Sequence, residues 1–596
     1  MTKKKQMKMW IVLPVVLTGA LVLSACSNNN ENNMQGHDMS KMGSMNSEGN
    51  DQAKQMSASA DPVSEVLTGN TFNLTAKENM LMLDDKTMKT AWTYNGTVPG
   101  PQLRVKQGET IKVVLNNELP EPVTIHWHGL PVPNNMDGIP GVTQNAVKPK
   151  ESFTYEFKVD VPGTYWYHSH QNGVNQVDKG LYGSLVVEPK DAEPVDKDYT
   201  LVLDEWMQDD SMAEMHAGGS GTDKNGGTTD NANMDMSNMN HGSSSNNSTM
   251  DMSNMNHGSS SNNSTMDMSN MNHGSSSNSS TMDMSNMNHG NSTNRSTMDM
   301  SNMSDAEMMP LMYTIFSANG KTGSAIQPLK VKEGEKVRIR LINAGYLSHK
   351  MHLPGHDFKI VSTDGQPINN PPLINGQLLN IAPGERYDIE FVANNPGKWL
   401  LDEHSSNPGA KSLAIPIVYD GSENATVKSD SGDMPLVDIT KYGEAAKGTF
   451  SLDDKYDIEY SMDLNTKMIN GDMSFTINGK TFPDIPPLNV KEGDLVKVKL
   501  VNNSPEDIHP MHLHGHFFQV LSKDGKPVSG SPLVKDTLNI LPGEEYVVAF
   551  KADNPGNWMF HCHDLGHASK GMMTEVKYEG FKPGFTIDPS VNNMPE

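Results

Sequence analysis

The run His561-Cys562-His563-Asp564-Leu565-Gly566-His567, with Met572 beyond it, brings a thiolate, two flanking imidazoles, a third imidazole and a thioether into one short segment. A thiolate with imidazole and a weak axial sulfur is the ligand set of a mononuclear copper site. The histidines on either side of Cys562 alternate with it, so on a strand they point to the opposite face and can touch a second centre. One segment can therefore take up an electron at one metal and stand against another.

Matching ligands recur at long range. Three stretches, Arg104-Val-Lys-Gln-Gly108-Glu, Lys330-Val-Lys-Glu-Gly334-Glu and Asn489-Val-Lys-Glu-Gly493-Asp, each precede an alternating apolar strand pattern. Each is followed by a Pro-Gly turn and an aromatic strand, at Pro162-Gly163, Pro396-Gly397 and Pro555-Gly556. The third aromatic strand runs into His561-Cys562-His563, the first into His168-Ser169-His170 and the second into Asp402-Glu403-His404. A second segment behaves alike: His126-Trp-His128 in the first unit, His349-Lys-Met-His352-Leu-Pro354-Gly-His356 in the second, His509-Pro-Met-His512-Leu-His514-Gly-His516 in the third. His-x-His thus persists in units one and three and is lost in unit two. Four such pairs predict that units one and three face each other across a shared cluster of several coppers, with His352, His356 and His404 left as structural remnants.

These elements are short strands separated by turns, which predicts an all-β chain of tandem β-sandwiches. The expected units are residues 63–190, 191–430 and 431–585, followed by a tail, 586–596.

The four segments together resemble the multicopper oxidases. That resemblance implies cupredoxin-like domains and four copper ions, one type 1, one type 2 and two type 3, which oxidise a donor one electron at a time and reduce O2 to water. It implies that His509, Cys562, His567 and axial Met572 hold type 1, His126 and His512 hold type 2, and His128, His168, His170, His514, His561 and His563 hold type 3. Electrons would pass from Cys562 into its flanking histidines. Asp137, in Asn135-Met-Asp137-Gly, matches an acid that delivers protons in relatives; it equally fits an Asp-Gly turn. Some metal-oxidising relatives carry an acid directly after the second type 1 histidine, where this chain has Ala568, and Asp564 is the nearby substitute.

Residues 208–309 interrupt the second unit. A block rich in Met, Asn and Ser begins at Met234, Met250, Met266, Met282 and Met298, one every sixteen residues; the first offers Met234, Met236, Met239 and His241. Without apolar bulk other than Met, this insertion is expected to be disordered. Thioethers prefer Cu(I), and imidazole suits copper in either state, so the tract reads as a copper collector rather than a spacer. His37-Asp-Met39-Ser-Lys-Met42 repeats the theme nearer the N-terminus.

Lys3, Lys4, Lys5 and Lys8 precede an apolar stretch ending in Leu23-Ser24-Ala25-Cys26. This reads as a signal peptide, residues 1–25, resembling a bacterial lipobox in which Cys26 is lipidated and 26–62 form a tether. The expected location is extracytoplasmic, on the outer face of the bacterial cytoplasmic membrane. Removing 1–25 deletes four lysines and no acid, so the formal charge of −25 becomes more negative still. That argues against nucleic acid as a partner and favours cations.

Three functions fit. The first is a cuprous oxidase fed by the Met blocks, with Glu506 and Asp507 beside His509 on the cation route. The second is a laccase-like oxidase of phenols or other small organic reductants. The third is a copper-binding lipoprotein with little turnover. Iron(II) and manganese(II) are further candidate donors.

Overall fold

The computed structural model describes residues 65–208, 304–429 and 432–596. The signal peptide, Cys26, the tether and the repeat blocks lie outside these residues. No described helix is long and apolar enough to cross a membrane.

Among the described residues six sheets occur as three pairs. The first pair is built from strands between Val66 and Glu188, the second from Lys197 to Lys428, the third from Ile458 to Tyr578. In each pair one sheet opens with a hairpin whose first strand also runs parallel to a third strand. These are Thr71–Met82 with Met88–Tyr94 and Thr110–Asn117; Lys197–Met207 with Tyr313–Ala318 and Lys336–Asn343; Ile458–Ile469 with Asp472–Ile477 and Leu495–Asn502. The inward positions alternate along these strands, as in Phe72, Leu74 and Ala76 or Val496, Val498 and Leu500, all buried. Period-two burial is what one face of a sandwich demands.

The other sheet of each pair carries the candidate ligands. In the first unit strand His126–His128 pairs with Gly163–His168, opposing His126 to His168. In the third, His509–Leu513 pairs with Asn557–Cys562, opposing Met511 to Cys562 and His512 to His561. Each aromatic strand follows its Pro-Gly turn and is anchored by buried rings, Trp166 in one and Trp558 in the other.

The insertion is shorter at its C-terminal end than its composition implied. Asp305–Met312 is a helix, capped by Ser304, whose side chain accepts from Glu307 N while Glu307 reaches back to Ser304 N. This Ser-x-x-Glu capping box satisfies two otherwise orphaned donors, which is why a helix forms at Asp305–Met312 despite its Met-rich composition.

Candidate metal centres

Cys562 ends its strand fully buried, and His567 sits in the short helix Leu565–Ser569 that follows. Asp564 caps that helix, accepting from His567 N at 3.2 Å, and so sets where the imidazole points. His509 arrives from the neighbouring strand. The Cys562 sulfur lies 3.8 Å from His509 Nδ1 and 3.7 Å from His567 Nδ1, and the two Nδ1 atoms are 3.2 Å apart. Ser504 Oγ lies 2.7 Å from His509 Nε2, and the Phe475 ring stacks on His567 with centroids 3.8 Å apart. Burial pushes the Cys562 thiol up; a metal ion would reverse that, because a coordinating thiol is deprotonated outright. Met572 is fully buried and joined to Cys562 through the hydrogen bond from Cys562 N to Met572 O.

The eight remaining histidines converge from the first and third units. His126 stacks on His514 at 3.9 Å and His128 on His512 at 3.8 Å, while His168 and His563 approach to 5.4 Å and His170 and His561 to 5.3 Å. Every one is buried. Burial pushes His126 down, and His128, His168, His514, His561 and His563 far down, so these rings are neutral and present a lone pair.

Their hydrogen bonds fix the tautomers. Nδ1 of His126 donates to Asp137 O at 2.9 Å, of His168 to Ser169 O at 2.8 Å, of His170 to Pro595 O at 2.7 Å, of His512 to Asp536 O at 3.0 Å and of His561 to Cys562 O at 2.8 Å. His514 Nδ1 donates to Asp137 Oδ2 at 3.0 Å. His128 is turned the other way, with Nε2 against Thr537 Oγ1 at 3.0 Å. The opposite nitrogens, Nε2 of His126, His168, His170 and His512 and Nδ1 of His128, are buried with no hydrogen-bond partner, as are both nitrogens of His563. Nε2 of His514 and of His561 face each other at 2.9 Å, although neither has a proton left to give. Inward lone pairs backed by carbonyl and carboxylate acceptors are what metal ligation requires, and ten imidazoles and one thiolate across the two centres suit copper. The donor sets fit.

The backing residues include several that spacing alone did not reveal. Asp137 is more than an Asp-Gly turn: it is buried between His126 and His514, and Gly138 (φ +82°) follows because a Cβ there would strike Ile125 O at 1.8 Å. Asp536 touches His128 Nε2 at 3.3 Å and His512 Nδ1 at 3.4 Å. Arg386, from the second unit, donates to both Asp536 oxygens, at 2.7 and 2.6 Å, with no exposed surface on either side chain. Burial alone would push the Asp536 carboxyl up; Arg386 outweighs it and holds the group far below the usual range. Gly129 (φ +80°) leaves room for this pair, since a Cβ there would come within 2.2 Å of Arg386. A buried Arg in a unit without His-x-His carries no sequence signal.

Glu596 is the other addition. The tail lies along the first unit through Asn145 to Thr586 O, Lys148 to Asp588, and Gln171 to Asn592 O, and brings the Glu596 carboxylate within 2.8 Å of His170 Nε2 though out of line for a hydrogen bond. Burial pushes His170 down, but Glu596 outweighs it and holds the imidazole above its usual value. Asp564, expected to substitute for the acid missing at Ala568, caps the helix and lines the cavity on the His567 side. It faces the thiolate centre, whereas Asp137, Asp536 and, from the tail, Glu596 stand beside the histidine cluster.

In the second unit the remnants are structural. His356 bonds Tyr419 at 2.7 Å, as His516 bonds Tyr578 in the third. His349, opposite number of His509, lies 2.8 Å from Glu205 and 3.4 Å from Glu403, the residue in the place of Cys562. Burial pushes this imidazole down, but the two carboxylates raise it to about 10. An imidazole held between two glutamates thus stands in the second unit where His509 and Cys562 meet in the third.

A cavity of about 300 Å³ opens beside His567, lined among others by Met309, Glu506, Asp507 and Asp564. The end of the insertion docks on this rim: Ser304 Oγ donates to Glu506 at 2.8 Å and Ala306 N to Asp507 at 3.2 Å. Glu506 and Asp507 are therefore partners of the insertion rather than a free solvated loop.

Multicopper oxidase models match residues 75–192, 279–419 and 454–580. The chain is 28% identical to Multicopper oxidase MmcO of Mycobacterium tuberculosis, over 82% of this chain and 82% of that one. It is 25% identical to Copper resistance protein A of Pseudomonas syringae pv. tomato, over 88% and 95%, and 26% identical to Laccase-2 of Botryotinia fuckeliana, over 83% and 80%. The fold is that of the crystal structure of Fet3p, a multicopper oxidase that functions in iron import (TM-score 0.61, 20% identity, 86% of this chain and 91% of that one). With matches to all three units of a fold whose first and third units share one histidine cluster, the chain belongs to the multicopper oxidase family.

Proposed function

We propose that the electron donor of this oxidase is Cu(I), oxidised to Cu(II) outside the cytoplasm as a defence against copper. The observation that carries this reading is the cavity at His567. Its rim offers the thioether of Met309 and the carboxylates of Glu506, Asp507 and Asp564, a mixed soft and anionic lining suited to a small cation. The same rim anchors the end of the Met-rich insertion, so ions gathered by the tract are released beside the thiolate centre. Copper resistance protein A is the name of relatives that cover nearly the whole chain.

Copper held by His509, Cys562 and His567 would supply one-electron exchange with the donor, and copper held by the histidine cluster would supply the four-electron reduction of O2. The protein's own part is positioning and proton supply. Cys562 and His561 are consecutive, and His561 Nδ1 bonds the Cys562 carbonyl, giving one short covalent and hydrogen-bonded route between the centres. Asp137 holds His514 at 3.0 Å while Oδ1 has no hydrogen-bond partner, the position from which a carboxyl passes protons inward. Complete burial of the histidines keeps the site dry, where fixed donors and charges act most strongly.

A laccase-like reading draws on the apolar part of the same cavity, Leu347, Leu436, Ile508 and Leu541, and on relatives named laccases. Glu506→Gln/Asp507→Asn separates the two. On the cuprous reading, kcat/KM for Cu(I) falls about tenfold or more, roughly the 1.4 kcal/mol of one lost charge contact, and that for a phenol stays within twofold. Equal losses for both donors would reject it. Export and lipidation at Cys26 belong to the same proposal, supported by the lipobox-like Leu23-Ser24-Ala25-Cys26; mass spectrometry of the membrane-bound N-terminus tests it.

A further inference from the structure

The three units begin with the same hairpin, and all three tips carry methionine. In the first unit Met82 lies directly opposite Met88. In the third, Met468 lies directly opposite Met473. In the second, Met207 opposes Tyr313, and the whole Met-rich stretch is inserted in the turn between them. The tract is therefore an expansion of a hairpin tip that already bears thioethers in its sister units.

Packing does not account for Met468 or Met88, the exposed member of each pair, although Met473 rests partly buried against the core. Met468 is 67% exposed and Met88 57% exposed. Along the third unit's first strand the core-facing positions run Met462 and Leu464, both fully buried, then Thr466, then Met468. The face that makes the core thus overshoots the end of the sandwich. It does so next to the thiolate centre. Two residues inward from the Met468–Met473 pair, on the same face, Thr466 opposes Phe475. Phe475 stacks on His567 at 3.8 Å, and Thr466 donates to Asp507 at 2.5 Å. Directly opposed residues hold their Cβ atoms about 4.5–5.5 Å apart, a span across which two flexible thioethers can grip one ion.

We propose that Met468 and Met473 form a Cu(I) landing site that holds the donor ion one strand repeat from the ring covering His567, about 7 Å along the hairpin. This rests on the cuprous-oxidase reading and adds the ligands. Two neutral sulfurs bind Cu(I) weakly, as turnover requires. Each ion gives up one electron and leaves as Cu(II), a harder cation with less preference for thioether. Four ions and four protons balance one O2 reduced to two waters.

The test uses the copper-loaded full chain with 13C-methyl methionine, titrated without O2 with Ag(I), a redox-inert d10 ion. The Met468 and Met473 methyl signals, assigned from the Met468→Leu and Met473→Leu variants, shift together and saturably. In the double Leu variant KM for Cu(I) rises about five- to tenfold, kcat and phenol oxidation stay within twofold, and Met82→Leu/Met88→Leu leaves all three unchanged. Motionless Met468 and Met473 signals while other methionines respond, or an unchanged KM, overturn the site. If the two signals shift but the parent chain does not oxidise Cu(I), the ion-binding site stands and the cuprous-oxidase reading falls.

Discussion

Replacing Arg386 by Met leaves a carboxylate buried without its cation. The guanidinium meets both oxygens of Asp536 at 2.7 and 2.6 Å, with neither side chain exposed. Paired, charge-assisted hydrogen bonds of this kind are the strong ones. Removing one partner of a buried ion pair costs about 3–5 kcal/mol, whereas replacing both by apolar groups is close to neutral. Arg386→Met should therefore lose about 3–5 kcal/mol, and Arg386→Met/Asp536→Leu should recover most of it, a coupling of about 2–4 kcal/mol. The pH response reverses too. In the parent the Asp536 carboxyl lies far below the usual range, so its stabilisation is present at neutral pH and is lost only in strong acid. Without Arg386, burial pushes the carboxyl up, and the variant gains stability as pH falls from neutral towards 5. Urea midpoints of the copper-free chains at pH 7.5 and 5, compared at equal m-value, read both effects. A single variant within about 0.5 kcal/mol of the parent, or a double variant no better than the single, refutes the reasoning, since 0.5 kcal/mol is the scatter of independent sites.

Asp137→Asn keeps the bulk beside His514 but removes the carboxylate; steady-state O2 reduction should fall about 10²-fold, the usual worth of a positioned proton donor, while anaerobic reduction of the thiolate centre keeps its rate in stopped flow. Gly129→Ala should cost about 3 kcal/mol or more, combining left-handed backbone strain of about 1–2 kcal/mol with displacement of Arg386, whereas Gly334→Ala, also at positive φ but with nothing within 4 Å, should cost the strain alone; thermal midpoints compare the two. His349 has a folded-state value raised to about 10, so its stabilisation is complete below the unfolded value of about 6.5 and is lost as pH rises through 10; His349→Phe should flatten stability against pH across that window.

The ligands were legible because chemistry repeats. His-x-His at matching places in units one and three, and Cys562 in only one of them, marked the centres before any geometry was known, and the strand pairings place those residues together. What remained hidden depends on contacts distant in sequence. Arg386 to Asp536 spans 150 residues and His170 to Glu596 more than 400. Neither side chain sits in a motif. The ordered helix at Asp305–Met312 was obscured by its Met-rich composition, although Ser304 and Glu307 have capping-box spacing. The ring nitrogen used by each histidine was unreadable because it is set by carbonyls and carboxylates of other strands.

The central claim is that this oxidase works on Cu(I) delivered by its own Met-rich tract. The most direct measurement is O2 uptake by the copper-loaded chain with Cu(I) or a phenol as donor, with and without residues 209–303, leaving the Ser304 cap and its helix in place. Deletion should lower Cu(I) turnover at low copper by about tenfold and leave phenol turnover equal or higher. Unchanged Cu(I) turnover, or a parallel loss with both donors, would contradict it.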